Sequence, residues 1–147
     1  MSGNLFNGID DELRKDAGCT TELDYIEQTS WLLFLKYLDA LESKRETNAI
    51  LKGQSYNRIL SEKYRWDNWA APKKDGKLDY SNAMTGDDLL DFVNQDLFPY
   101  LAGFGQRADS PHTIEYKIGE IFSGLQNRCQ SGYTLRAVLN FADDFKF

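Results

Sequence analysis

A single histidine, His112, limits the chemistry open to this chain of 147 residues. A Ser-His-Asp relay needs an imidazole held between nucleophile and acid, and histidine-rich metal sites need several. His112 follows Pro111 near an expected helix start, where a surface or capping role suits it. The carboxylates of Asp10-Asp11-Glu12, Asp87-Asp88 and Asp143-Asp144 are adjacent in sequence. On a helix, neighbours point ~100° apart, so none of these groups forms an acid/base pair by itself. Asp87 and Asp88 read more simply as acids favoured at a helix N-terminus. Gly103-x-Gly105 continues into Gln106-Arg107-Ala108-Asp109 with no third glycine, so it is no dinucleotide loop, and no Walker-type loop occurs. Cys19 and Cys129 have no CxxC or Cys/His pattern and read as two free thiols. Pro72, Pro99 and Pro111 are never adjacent, which excludes any motif that needs Pro-Pro.

The charge pattern is more informative. The net charge of −6 argues against a nucleic-acid binder held by bulk electrostatics. Residues 1–35 hold 2 basic and 7 acidic side chains, residues 36–77 hold 10 and 6, and residues 78–147 hold 5 and 10. The middle segment is therefore the only candidate for a phosphate-facing surface. Its candidate contacts are Lys44, Arg45, Lys52, Arg58, Lys63, Arg65, Lys73 and Lys74, although such residues also simply solvate helix faces. Trp66 and Trp69, close to Arg65, Lys73 and Lys74, could stack on bases or anchor a partner, or pin a loop to the core.

These side chains need a scaffold, and its centre is Thr21–Glu42. At helical periodicity its apolar arc holds Leu23, Ile26, Leu33, Phe34, Tyr37, Leu38 and Leu41, with Trp31 at the edge and Leu32 and Leu35 outside. A helix with this much apolar surface needs cover on more than one side. Thr21 and Asp24 form a capping-box pattern. A first helix is expected over Asn4–Ala17 on Leu5, Ile9 and Leu13, widened by Phe6 and stopped by Gly18. Ser43–Leu60 suggests one or two short helices with Gly53 between them. A short hairpin is predicted around residues 64–80, with Lys74-Asp75-Gly76-Lys77 at its tip. Thr85 and Asp88 repeat the capping pattern before a helix that Pro99 should kink or end. Gly103-Phe104-Gly105 reads as a flexible link, Ser110-Pro111 as a helix start, and Thr134 as the cap of a last helix on Leu135, Val138, Leu139 and Ala142. The fold class is mainly α: a multi-helix orthogonal bundle of five or more helices in a single domain, 1–147. With 41% hydrophobic residues the chain can build a core. The apolar run Trp31–Leu35 is far short of the ~20 residues that span a bilayer, and the N-terminus lacks a signal-peptide pattern, so a cytoplasmic protein is expected.

Leu5-Phe6-Asn7-Gly8-Ile9-Asp10, Leu13-Arg14-Lys15-Asp16-Ala17-Gly18, Leu23-Asp24-Tyr25-Ile26-Glu27-Gln28 and, most densely, Ser30-Trp31-Leu32-Leu33-Phe34-Leu35-Lys36-Tyr37-Leu38 carry a family pattern. On these residues the chain resembles the N-terminal helical domain of the modification (M) subunit of type I restriction-modification systems. Arg65-Trp66 and Leu135-Arg136 through Phe145 are similar to later parts of that domain, so the likeness extends over the chain, dense in its first third and loose in the middle.

The resemblance implies a role rather than a reaction. In that family a methyltransferase domain follows, binding S-adenosylmethionine and methylating adenine N6 with an Asn-Pro-Pro-Phe-type motif. No such motif stands here, so no catalytic, cofactor-binding or metal residue is carried over, and the segment alone is expected to be inactive. The implied partners are double-stranded DNA, the specificity (S) subunit, a second M subunit and the restriction (R) subunit. The leading expectation is a DNA-clamping and assembly domain. The alternative is a protein-interaction module that docks the S or R subunit without touching DNA. A small independent enzyme is the weakest reading.

Overall fold

The computed structural model describes residues 2–147, with side chains from Phe6 onward. Helix α1 spans Ser2–Arg14 and buries Ile9 and Leu13 completely. Leu5, expected on the same stripe, lies outside the described side chains. Helix α2 runs Glu22–Leu51, about 45 Å at 1.5 Å per residue. Its predicted capping box is present: the Thr21 hydroxyl accepts the Asp24 amide, and the Asp24 carboxylate accepts the Thr21 amide. The helix continues well past Glu42 because Ser43–Leu51 is rich in helix formers. It stops at Gly53, whose φ of 69° permits the left-handed turn. There the Gln54 amide bonds Ala49 O and the Gly53 amide bonds Ile50 O, a Schellman arrangement.

The buried face of α2 differs from the expected arc. Gln28, Trp31, Leu32, Leu35, Leu38 and Glu42 face the core, whereas Leu23 and Ile26 face outward. These buried positions recur every three to four residues, but two of them are polar and disguise the face in the sequence.

Short helix α3 (Trp66–Trp69) precedes a two-stranded antiparallel hairpin, β1 (Lys73–Lys74) and β2 (Lys77–Leu78), paired Lys73 with Leu78 and Lys74 with Lys77. Asp75 and Gly76 form its tip with φ of 54° and 78°, the positive-φ pair that a two-residue hairpin turn requires. Helix α4 (Gly86–Asp91) passes through a π-helical stretch (Phe92–Leu97) into α5 (Phe98–Ala102). Pro99 therefore does not end the helix; the widened turn before it accommodates the missing amide. Thr85 stands at the N-cap of α4 without the expected side-chain bond.

Phe104 and Gly105 belong to α6 (Phe104–Arg107) rather than to a flexible link. Helix α7 (Ile114–Ser123) starts at Thr113, whose hydroxyl accepts the Tyr116 amide, not at Ser110-Pro111. Helix α8 (Gly132–Asp143) is capped by Ser131 rather than Thr134 and buries Leu135, Val138, Leu139 and Ala142. α8 packs on α1, α2 and α4, while α7 packs on α5 and α6. Trp31 meets Phe98 edge-on at 4.9 Å, and Phe98 meets Phe122 at 5.2 Å, linking α2 to α5 and α7. The result is the mainly α bundle with a small hairpin that the spacing predicts. Among the described residues no helix is long and apolar enough to cross a membrane.

Candidate functional site

Four buried polar side chains hold irregular segments against the helices. Asp16 ends α1 and accepts the amides of Gly18, Gln130 and Ser131 at 2.8, 2.9 and 3.0 Å. Gln28 donates to Gln126 O at 3.0 Å and accepts from Trp31 Nε1 at 2.8 Å and the Arg128 amide at 3.1 Å. Glu42 accepts the Tyr56 hydroxyl at 2.7 Å and the Ile59 amide at 2.8 Å. Arg136 donates to Met84 O, Ala70 O and Asn140 Oδ1. Each satisfies backbone groups that a loop would otherwise bury without partners.

The eight candidate cations separate into committed and available groups. Arg58 is committed: it faces Asp39 at 3.5 Å, Glu46 at 3.2 Å and Ser43 Oγ at 3.0 Å, with its side chain 14% exposed. Lys63 pairs with Asp96, whose carboxyl the Lys63 ammonium and Tyr64 hydroxyl hold below its ordinary range. Arg65 Nε donates to Leu60 O at 3.0 Å. Lys73 reaches Asp143 at 2.7 Å. By contrast, Lys44, Arg45, Lys52 and Lys74 are exposed and have no ion pair among the described residues. Three of them line the distal end of α2, and the fourth sits on the hairpin.

The hairpin register adds Lys77, which the sequence places at the predicted hairpin tip but which is not among the eight candidate contacts. Lys74 and Lys77 are directly opposed across β1 and β2 and so project on one face. Like charges in that position repel unless an anion lies between or above them.

Trp66 and Trp69 take the loop-pinning role rather than a partner-facing one. They are 1% and 3% exposed, so neither ring is a surface for bases or protein. Trp66 packs edge-on against Trp69 at 5.8 Å, and Trp69 lies 5.7 Å from Phe92. Trp66 Nε1 donates to Asp143 at 2.8 Å, and Lys36 pairs with the same carboxylate at 3.1 Å. Burial works against the charge of Asp143, but hydrogen bonds from Lys73, Trp66 and Lys36 win and hold its carboxyl below the usual range. Asp143 thus ties α8, α2, α3 and the hairpin together.

His112 is exposed, and its amide rather than its ring makes the bond to Ser110 Oγ at 3.3 Å. Cys19 and Cys129 are buried free thiols, and burial raises the pKa of both, away from nucleophilic thiolates. Among the described residues no group of three or more His, Cys, Asp or Glu side chains gathers as a metal site.

The structure is a helical bundle pinned by buried polar side chains, with exposed cations at the distal end of α2 and on the hairpin. The chain matches the model of the HsdM N-terminal domain over residues 3–141 and belongs to that family, the N-terminal helical domain of type I modification subunits. It is 33% identical over 144 residues to the Type I restriction enzyme EcoEI methylase subunit of Escherichia coli, covering 98% of this chain and 27% of that protein. A modification subunit assigned to a type I restriction enzyme from Vibrio vulnificus YJ016 superposes with a TM-score of 0.86 at 33% identity, over 99% of this chain and 30% of that one. A chain from a study of complex assembly and conformational transition in a type I restriction-modification system gives a TM-score of 0.76 at 30% identity, over 99% and 26%. The chain thus spans less than a third of the length of these relatives.

Proposed function

We propose that this domain helps assemble a type I modification complex and lays a basic edge on the phosphate backbone of double-stranded DNA. The reading rests on the split among its cations. Arg58, Lys63 and Lys73 are consumed by internal ion pairs, while Lys44, Arg45, Lys52, Lys74 and Lys77 stand exposed on an otherwise acidic chain. A surface of that kind contacts phosphate without base-specific readout, so it positions DNA and leaves target choice to another subunit. In this proposal S-adenosylmethionine and adenine-N6 chemistry belong to a catalytic domain of the parent subunit, and the present residues supply none of it.

Binding of DNA by the assembled complex tests this. Glutamate at Lys44, Arg45, Lys52 and Lys74 together should weaken affinity and flatten its salt dependence, by about 0.9 in log–log slope for each phosphate no longer neutralised. Unchanged affinity would overturn the DNA part of the reading. A second reading, docking of the S or R subunit without DNA contact, is favoured by the exposed Leu23 and Ile26, each 61% accessible. Crosslinks from the hairpin lysines to protein alone would select it.

A further inference from the structure

The fold brings together the two cysteines of the chain, which the sequence holds far apart. Cys19 stands in the turn between α1 and α2. Cys129 stands in the segment 125–131, which has neither helix nor strand. Both residues are buried and both thiols are free. One carboxylate oxygen sets their spacing: Asp16 Oδ1 accepts the Gly18 amide at 2.8 Å and the Gln130 amide at 2.9 Å. The Arg128 carbonyl packs on the Gly18 backbone so closely that a Cβ there would collide with it. Cys129 is thus bracketed by Arg128 and Gln130, which both lie against the residue before Cys19. Inside that bracket the two thiols are neighbours, close enough for the Cys129 thiol to stabilise a Cys19 thiolate.

The pair is quiet while the segment is closed. Burial and the Asp16 carboxylate favour the protonated thiols at both positions. The two differ in readiness, however. The Cys129 thiol and the Arg128 guanidinium favour a thiolate at Cys19, whereas Cys19 and Asp16 both oppose one at Cys129. The segment itself is held largely by two side chains, Asp16 and Gln28, and such a loop opens more readily than the helices around it.

We propose that peroxide converts Cys19 and Cys129 into a disulfide, which locks the α1–α2 turn to the segment before α8. When the segment opens, the Cys19 sulfur attacks one oxygen of hydrogen peroxide. The O–O bond breaks, the departing hydroxide takes the thiol proton as water, and Cys19 becomes a sulfenic acid. On closing, the Cys129 sulfur attacks the Cys19 sulfur. The S–S bond forms, the S–O bond breaks, and the hydroxyl leaves with the Cys129 proton as a second water. Two electrons pass from the two thiols to the peroxide. The product closes a loop of most of the chain, which restrains the unfolded state and holds the segment shut. Neither thiol is among the cations of the DNA edge, so the lock is independent of the proposed function.

The full modification subunit, treated while folded with hydrogen peroxide, then alkylated and digested without reductant, tests this. Mass spectrometry should find the Cys19 peptide joined to the Cys129 peptide. Hydrogen exchange over 125–131 should slow about tenfold or more in the linked form and recover on reduction. Both peptides alkylated as free thiols, Cys19 joined to any other cysteine, or unchanged exchange in the linked form would overturn the proposal. Cys129→Ala separates the two steps. The same treatment should then leave a sulfenic acid on Cys19 that dimedone traps, and a Cys19 that carries no adduct would overturn its role as the thiol attacked first.

Discussion

Trp66 Nε1 donates a 2.8 Å hydrogen bond to the carboxylate of Asp143, joining the aromatic stretch before the hairpin to the last residue of α8. That bond explains why two tryptophans beside basic residues are core here. It orients Trp66 inward, and the lysines on either side, Lys36 and Lys73, close on the same acid.

Asp143→Ala should destabilise the domain by about 3 kcal/mol, because Lys36, only 18% exposed, would be left without its partner along with Lys73 and Trp66. Denaturant unfolding measures this. The same carboxyl gives an acid dependence. Its folded pKa is depressed, so the stabilisation is present above the unfolded value of about 3.9 and is lost as pH falls through the folded value. Asp143→Asn should flatten the acid limb of stability against pH below about 4.

Gln28→Ala should cost about 2–4 kcal/mol, since it leaves Gln126 O, the Arg128 amide and Trp31 Nε1 without their partner. Amide exchange at Arg128 should accelerate more than exchange in α8, because the loop is released before the helix.

Gly119→Ala and Gly124→Ala form a matched pair. A Cβ on Gly119 would lie 2.2 Å from the Gly105 amide nitrogen, where α6 and α7 touch backbone to backbone. Gly124 has open space and a negative φ of −102°, which alanine can adopt. Thermal unfolding should show Gly119→Ala destabilised by about 2–3 kcal/mol and Gly124→Ala neutral or slightly stabilised.

Local signals in the sequence located much of the fold. The Thr21/Asp24 box, the Asp75-Gly76 tip and the α8 stripe depend on residues only a few positions apart, so their pattern is readable along the chain. The buried face of α2 was not, because Gln28 and Glu42 sit on it as anchors for loops far away in sequence. Of the apolar arc the sequence displays most clearly, Leu23, Ile26 and Tyr37 face outward, Leu33 and Phe34 pack half-buried against the core, and Leu38 is buried. The candidate cations were legible as a group. Which of them are already paired depends on Asp39, Asp96 and Asp143, and on a register that only folding defines.

The most direct measurement compares available and committed cations in the assembled complex, reading DNA affinity against salt beside the melting temperature. Lys74→Glu with Lys77→Glu should lower affinity and shrink the salt slope by about 2, with the melting temperature unchanged. Arg58→Gln should do the reverse, lowering the melting temperature because its ion pairs with Asp39 and Glu46 are broken, with little change in slope. If the hairpin variant binds DNA with the wild-type affinity and slope, the basic edge does not touch phosphate and the proposed DNA role is contradicted.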